Sequence, residues 1–547
     1  MKTKLKKHFP PLFLVLLFCM CFYACKKSPK VKELALADVD STVSTRAPYL
    51  NFPQPLSPDT PWDVDRELQA KLTSEGKFVQ VQRLFEILSW QWFVSLNWPV
   101  NEKGEPMPAI SDKGSPGWFN WKESYEVFLP NGQKPAPWGV SSLPAHFPKN
   151  LSLSGEKILF RTNKVVDFAN PDVEDEVNQA FTSPIWDQNG NITRYEIRMN
   201  EVEFDYVVKN ELYNYDGQIV FSKENGNVDF PEGTRSEEGA IEIKVAWKIL
   251  EESDIKSRYF TTYGYVITKD NTYERKEVGM VGMHISSKTE SSPQWIWTTF
   301  EHVDNLEVNL LEEIDGKPLK PSYNDPDCDI CPINVLPDTV ISAHNPKIKN
   351  QIQRIMPISG ATKELNASVQ ALLKAAGSKL QYYQQIGTQW PTNPKSPPYT
   401  LKDTTVYTLP QAVTNKSGGD PTPVYLTNMV METYFQGGTI TGDSDKILQQ
   451  FTRNGKLEYQ DTLAGYNIYL ANEPAYFQMN NFPMGTDTKN TQQTIFGTES
   501  CISCHFSSAI ATGYKEQNGV KMPVFGLPTS ADFSWLLNQK ASFKTNP

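Results

Sequence analysis

Between Glu67 and Asn97 apolar residues recur three or four positions apart. In VQRLFEILSWQWFVSLNWP they fall at Leu84, Ile87, Leu88, Phe93 and Leu96, which predicts a helix over this span, ended by Pro99. Residues 100–185 are rich in Pro, Gly and Trp and predict only short elements. From 190 to 310 the period drops to two. NITRYEIRMNEVEFDYVVKN, AIEIKVAWKIL, YFTTYGYVITKD, EVGMVGMHISSKT and PQWIWTTFEHVDN alternate and are rich in Val, Ile, Tyr and Trp, so they predict strands, read as antiparallel. From Ile348 the helical period returns. ATKELNASVQALLKAAGSKLQYYQQIGTQW, PVYLTNMVMETYFQGG and ESCISCHFSSAIATGY predict helices. The expected fold class is α+β, with a β-rich middle region and a more helical C-terminal part.

The N-terminus has a different pattern. MKTKLKKH is basic, FPPLFLVLLFCMCFY is apolar, and Ala24-Cys25 closes the run. Those are the three parts of an export signal, and the apolar run is too short for an ordinary membrane span. Phe22-Tyr23-Ala24-Cys25 resembles a bacterial lipobox, with Phe where Leu is usual, so Cys25 is the expected lipidation site. The expected organisation is a signal peptide over 1–24 and a lipid anchor with a flexible tether over 25–60. A mixed α+β region follows over 61–335. A mainly helical part over 336–547 carries the chemistry described below and packs with the preceding region as one body.

Composition narrows the function classes. Of 547 residues, 39% are hydrophobic and 21% charged, enough apolar surface for an ordered core. The formal net charge is −10. An acidic chain lacks the basic footprint that nucleic acid needs, so no nucleic-acid partner is expected. No later segment approaches the ~20 apolar residues of a membrane span. The chain is therefore expected in the cell envelope, held by its lipid and facing the periplasm.

The 7 cysteines support that compartment. Cys19, Cys21 and Cys25 lie in the signal region. The other four form two close pairs, Cys328/Cys331 and Cys501/Cys504. The first pair is followed by Pro332 and is expected to close a short disulfide, with a metal site the sharper alternative. The second is followed at once by His505. Cys-x-x-Cys-His is the attachment pattern for c-type haem. Two thiols at that spacing add across two vinyl groups on one porphyrin edge, and the next imidazole reaches the iron. Cys501 and Cys504 are thus the expected attachment residues of one covalent haem c, and His505 its axial ligand. Only a short stretch follows His505, so the pocket is expected to be built mostly from earlier residues. Met522 is the nearest sixth-ligand candidate; Met479, Met484, His146, His284, His302 and His344 are rivals.

The strands carry a second constellation. Glu242, Lys244 and Lys248 share one face at strand period, with Trp247 on the other; His284 and Lys288 share a face; Glu301, His302 and Asp304 lie close in sequence. Ionic pairs that fix strand register are the plainer reading. A proton-transfer site with His302 as general base is the alternative.

WQWFVSLNWP, EIKVAWKIL, MVGMHISSKT, WIWTTFEHVDN, YLTNMVMETYFQ, SCISCHFSSA and DFSWLL together resemble a family of large exported bacterial proteins labelled cytochrome c family proteins. The resemblance runs from about Trp90 to Leu537. It implies a single haem-bearing body with Cys501, Cys504 and His505 at the haem, and implies no particular reaction. The expected function is a membrane-anchored periplasmic mono-haem cytochrome that transfers electrons to or from redox partner proteins of the envelope. The alternatives are a haem-dependent oxidoreductase, oxidase or peroxidase-like, with an open iron site, and a surface binding lipoprotein whose haem is structural or sensory. Whether the chain is an enzyme is open at this point.

Overall fold

A computed structural model describes residues 47–544 apart from 60, 145–146, 152, 154, 160–184, 268–271, 329–350, 355–357, 391–427, 433–500, 502–504, 506–507 and 528. Cys25, Cys331, Cys504, His146, His344, Met479 and Met484 lie outside the described residues. Every described element belongs to one compact unit, Leu36–Pro547.

The centre is a sheet whose strands are β1 (Lys122–Glu123), β2 (Lys157–Leu159), β3 (Arg194–Met199), β4 (Ile241–Ile249), β5 (Thr261–Ile267), β6 (Tyr273–Thr289), β7 (Ser292–His302) and β8 (Tyr383–Gln389). Their order is β8-β7-β6-β4-β3-β1. The first half of β6 also pairs with β5, which carries β2 at its side. All these pairings are antiparallel except β2 with β5. The molecule is α+β. Strands from the 61–335 and 336–547 regions share this one sheet, since β8 pairs with β7.

Successive side chains on a strand point to opposite faces, so the sheet sorts its residues. On one face Ile243, Val245, Trp247, Met283, Ile285, Ile296 and Phe300 are buried under α2 (Phe78–Leu96) and the later helix Gly360–Ala375. The rings of Phe93 and Phe300 stack there at 4.1 Å, and Trp90 Nε1 donates to Asn366 Oδ1 at 3.0 Å. On the other face Trp295 and Trp297 pack with α3 (Glu201–Lys209), α4 (Tyr215–Glu224) and the C-terminal residues Ile510, Phe533, Leu536 and Leu537.

Several local expectations change. The helix expected over 67–97 is two, α1 (Arg66–Ser74) and α2. Gly76 separates them at φ 69°, where its N–H meets the Thr73 carbonyl and that of Lys77 meets Leu72. This is a Schellman stop, which needs the left-handed freedom of glycine. Gly377 ends α5 (Gly360–Ala375) in the same way, at φ 69°. The run read as one helix therefore continues into strand β8. The run NITRYEIRMNEVEFDYVVKN splits too: Asn200 accepts from the Glu203 amide and caps α3. In ESCISCHFSSAIATGY, Cys501 and His505 are helical, but Ala511–Gln517 is strand β9, paired with β10 (Val520–Phe525). In PVYLTNMVMETYFQGG, the described residues 428–432 form a turn. The span 25–60, read as a tether, already packs at its end, with Leu50 and Phe52 buried. Cys328 is disulfide-bonded; Cys331, its expected partner, lies outside the described residues.

Candidate functional site

Cys501 and His505 stand one helical turn apart, so both side chains leave one face of their helix. Cys501 packs against the apolar cluster that contains Trp297, Phe533 and Leu536. The His505 ring lies over Trp297, with centroids 4.3 Å apart and planes inclined by 47°. His505 Nδ1 is 2.7 Å from the carbonyl oxygen of Phe533. A carbonyl only accepts, so Nδ1 carries the proton and Nε2 keeps its lone pair. Burial pushes the imidazole pKa down to about 3; the Phe533 carbonyl and Glu432 work against this, while the charges of Lys244 and His284 assist it. His505 is thus neutral at any ordinary pH, with one fixed tautomer.

That tautomer is the one a metal-bound histidine needs. Ligating imidazoles bind through one nitrogen and donate the other N–H to a carbonyl or carboxylate. The donor set therefore fits a haem iron held by His505 Nε2 and a porphyrin edge anchored at Cys501, beside an apolar wall. Among the described residues no three His, Cys, Asp or Glu side chains are grouped to hold a bare metal ion. A porphyrin supplies four nitrogens itself and asks the protein for one axial nitrogen.

The register of the sheet brings part of the second constellation to this place. Lys244 on β4, His284 on β6 and Thr299 on β7 form one cross-strand row; Glu242, Ser286 and Trp297 form the next. All point to the face where His505 sits. His284 Nε2 meets Glu432 Oε1 at 2.8 Å, and the other oxygen of Glu432 accepts from the Asn428 amide at 3.2 Å. Asn428 Nδ2 in turn donates to Thr299 Oγ1 at 2.8 Å. The 428–432 turn can lie this close because residue 282 is glycine: a Cβ there would come within 2.8 Å of Val430 Cγ2.

Other members of the constellation lie elsewhere. Lys248 is buried beside Asp187 and Asp254. Glu301 accepts from Arg354 at 2.7 Å and from the Met429 amide at 2.6 Å. His302 stacks on Tyr259 at 4.2 Å. Its Nδ1 accepts from the Asp304 amide at 3.1 Å, so Nε2 donates to the Arg258 carbonyl at 3.2 Å. Both ring nitrogens are spent on backbone, and burial lowers the pKa to about 4. No nitrogen of His302 is left for a substrate proton, so the general-base alternative has no geometry behind it. Met522 sits half-buried on β10, its backbone opposite Lys515, in the β9–β10 hairpin that packs against α4.

The residues that hold His505 from behind carry no motif. Asp532 and Phe533 have φ 48° and 67°. Two successive side-chain-bearing residues in the left-handed region cost roughly 1–2 kcal/mol each, and nothing in ADFSW announces that. Asp532 Oδ2 accepts from the Phe230 amide at 2.7 Å and from Lys288 Nζ at 2.6 Å; Lys288 also pairs with Asp229. Ser534 Oγ donates to Glu242 Oε2 at 3.0 Å.

Beneath this turn lies an acidic group. Glu203 is 1% exposed, and neither carboxylate oxygen has a hydrogen-bond partner among the described residues. Burial, then the charges of Glu242 and Asp532, push its pKa well up. Burial raises Glu242 to about 7 against the Ser534 hydrogen bond, and raises Asp532 to about 6 against Lys288. The Glu203–Glu242 pair therefore retains a proton near neutrality.

Among the described residues no helix is long and apolar enough to cross a membrane. No family model matches the chain, and comparison with curated proteins and with solved structures finds no match.

Proposed function

We propose that the chain is an exported c-type mono-haem cytochrome that transfers electrons between redox partner proteins of the cell envelope. In this reading one haem c is attached at Cys501 and Cys504 with His505 as axial ligand, and the C-terminal part is the haem-bearing part. Cys25 carries the lipid that holds the chain to the membrane, facing the periplasm. The observation that carries the reading is the His505 Nδ1 contact to the Phe533 carbonyl at 2.7 Å, which leaves Nε2 the only nitrogen with a free lone pair. When bound, the haem supplies a one-electron iron couple. The chain's own residues orient the ligand, keep it neutral and cover one side with Trp297. The test is the spectrum of the reduced protein as isolated. Sharp c-type bands that survive acid–acetone extraction are expected; loss of haem to the organic phase, or no bands, would overturn the reading.

A second reading is a haem-dependent oxidoreductase, oxidase or peroxidase-like. One observation favours it: Lys244 and the His284–Glu432 pair place three ionisable groups close enough for their charges to act on His505. Such groups suit proton delivery to a substrate better than a closed electron-transfer site does. Ready binding of carbon monoxide or cyanide supports this reading. A six-coordinate, low-spin iron indifferent to both supports the first, with Met522 or His284 as the candidates for the sixth position.

A further inference from the structure

We propose that Asp532, Lys288 and Glu242 are positioning residues for His505, clamping the turn Ala531–Ser534 so that the Phe533 carbonyl faces Nδ1. The turn needs a clamp because its conformation is unfavourable in itself. Asp532 and Phe533 occupy the left-handed region in succession, and neither is glycine. Such backbone persists only where surrounding contacts over-determine it.

Here the contacts flank Phe533 on both sides. On the near side, the Asp532 carboxylate is fixed by the Phe230 amide and by Lys288 Nζ, at 2.7 and 2.6 Å. On the far side, Ser534 Oγ donates to Glu242 at 3.0 Å and receives the Leu536 amide at 3.4 Å. Two backbone bonds tighten the turn itself: Asp532 N to Thr529 O at 2.9 Å and Ser534 N to Ala531 O at 3.1 Å. Lys288 and Glu242 stand on β6 and β4, inside the sheet. The clamp thus ties the orientation of one imidazole to hydrogen-bonded strands of the central sheet, which is where a precise ligand geometry has to be anchored. Phe533 itself is buried with Cys501 and Trp297, so its ring closes the wall while its carbonyl holds the ligand.

The role at the iron rests on the haem reading above; the fixed tautomer does not. Two measurements keep the two apart. Histidine 15N shifts of the purified native protein report the His505 tautomer whether or not haem is present, and a protonated Nδ1 in slow exchange with solvent is expected. A freely exchanging Nδ1, or a proton on Nε2, overturns the clamp. Absence of haem in the same sample overturns the haem reading alone.

In haem-loaded protein, Asp532→Asn, Lys288→Met and Ser534→Ala should each weaken the Nδ1 bond and make His505 a poorer donor. The iron–histidine stretch should fall, and the reduction equilibrium should move on the order of tenfold toward the reduced state, about 59 mV for one electron. Lys288→Arg should restore both. Glu211→Gln, which breaks only the exposed Lys544 pair near the same end of the chain, should change neither. Folded Asp532→Asn or Ser534→Ala protein with an unaltered stretch and potential overturns the proposal. Ser534→Ala removes a single hydroxyl, so it remains informative if Asp532→Asn does not fold.

Discussion

Trp297 and His505, far apart in sequence, pack ring against ring at 4.3 Å, and the contact joins β7, the last strand of the β-rich region, to the C-terminal segment. Trp297 is 6% exposed, so its indole is almost wholly committed to this interface. Trp297→Ala should destabilise the protein by about 3–5 kcal/mol, as removal of a large buried ring usually does. Trp297→Phe should cost less than half of that. Urea unfolding of both variants checks the order; equal losses would mean that the ring face is not what the contact uses.

His302 sets a pH limit on the acid side. Its folded pKa of about 4 lies below the ordinary 6.5, so the unfolded chain binds a proton that the folded one refuses. Stability is therefore complete above pH 6.5 and is lost as pH falls toward 4, by up to about 3 kcal/mol from this group. In His302→Gln this slope should be reduced. Thermal or urea unfolding of both proteins between pH 4 and 7 checks it, and parallel curves would exclude the assignment.

The Glu203–Glu242 pair acts in the opposite sense. Both carboxyls are raised in the folded state, Glu242 to about 7. The folded chain holds protons that the unfolded chain has released above about pH 4.5, so stability from this pair declines as pH rises toward 7. Glu203→Gln should flatten that decline and be more stable than the parent at pH 8, on the order of 1–3 kcal/mol. A variant less stable than the parent at pH 8 would show that Glu203 has an undetected cationic partner.

On the α2 side of the sheet, Lys157 lies 3.6 Å from the ring centre of Phe119 and pairs with Glu196 at 2.9 Å, while Arg198 takes the other oxygen of Glu196 at 2.6 Å. Burial lowers Lys157 to about 7, with the neighbouring Arg198 adding to it and Glu196 opposing. Glu196→Gln should be the most damaging single change here, about 3–5 kcal/mol, because it strands two buried cations. Lys157→Met should cost less, since Arg198 still neutralises Glu196. Denaturant titration of the two variants ranks them; the reverse order would contradict the triad.

Much of the scaffold was legible in the residues. The alternating runs carrying β4, β5, β6 and β7 appear where the period of two places them, because successive side chains on a strand point to opposite faces. The shared face of Glu242 and Lys244 followed from the same period, and the register then set Lys244 beside His284. What escaped was punctuation and long-range partnership. Gly76 and Gly377 end helices that composition alone would continue. Asn200 with Glu203 three residues on is a cap signal, but the Val, Phe and Tyr that follow imitate a strand. His505 was singled out by its motif. Phe533 was not, since a carbonyl is the same in every residue and only the fold decides where it points. Glu432 and Asn428 were equally silent, because their partners on the sheet, His284 and Thr299, are over a hundred residues away.

The sheet runs from residue 122 to 389, and the Ile510–Leu537 residues that cover Trp295 and Trp297 come after all of it. Each contact between these segments closes a very long loop, whose entropic cost is repaid only once the receiving surface exists. During folding, the strands and the α2 side can therefore assemble first, and the C-terminal segment docks late onto a finished platform. Until it docks, Cys501 and His505 stay off the sheet, where on the proposed haem reading the motif is still open to attachment. On the haem reading proposed above, covalent attachment and the final closure of the molecule become successive stages, and an error in the first is buried by the second.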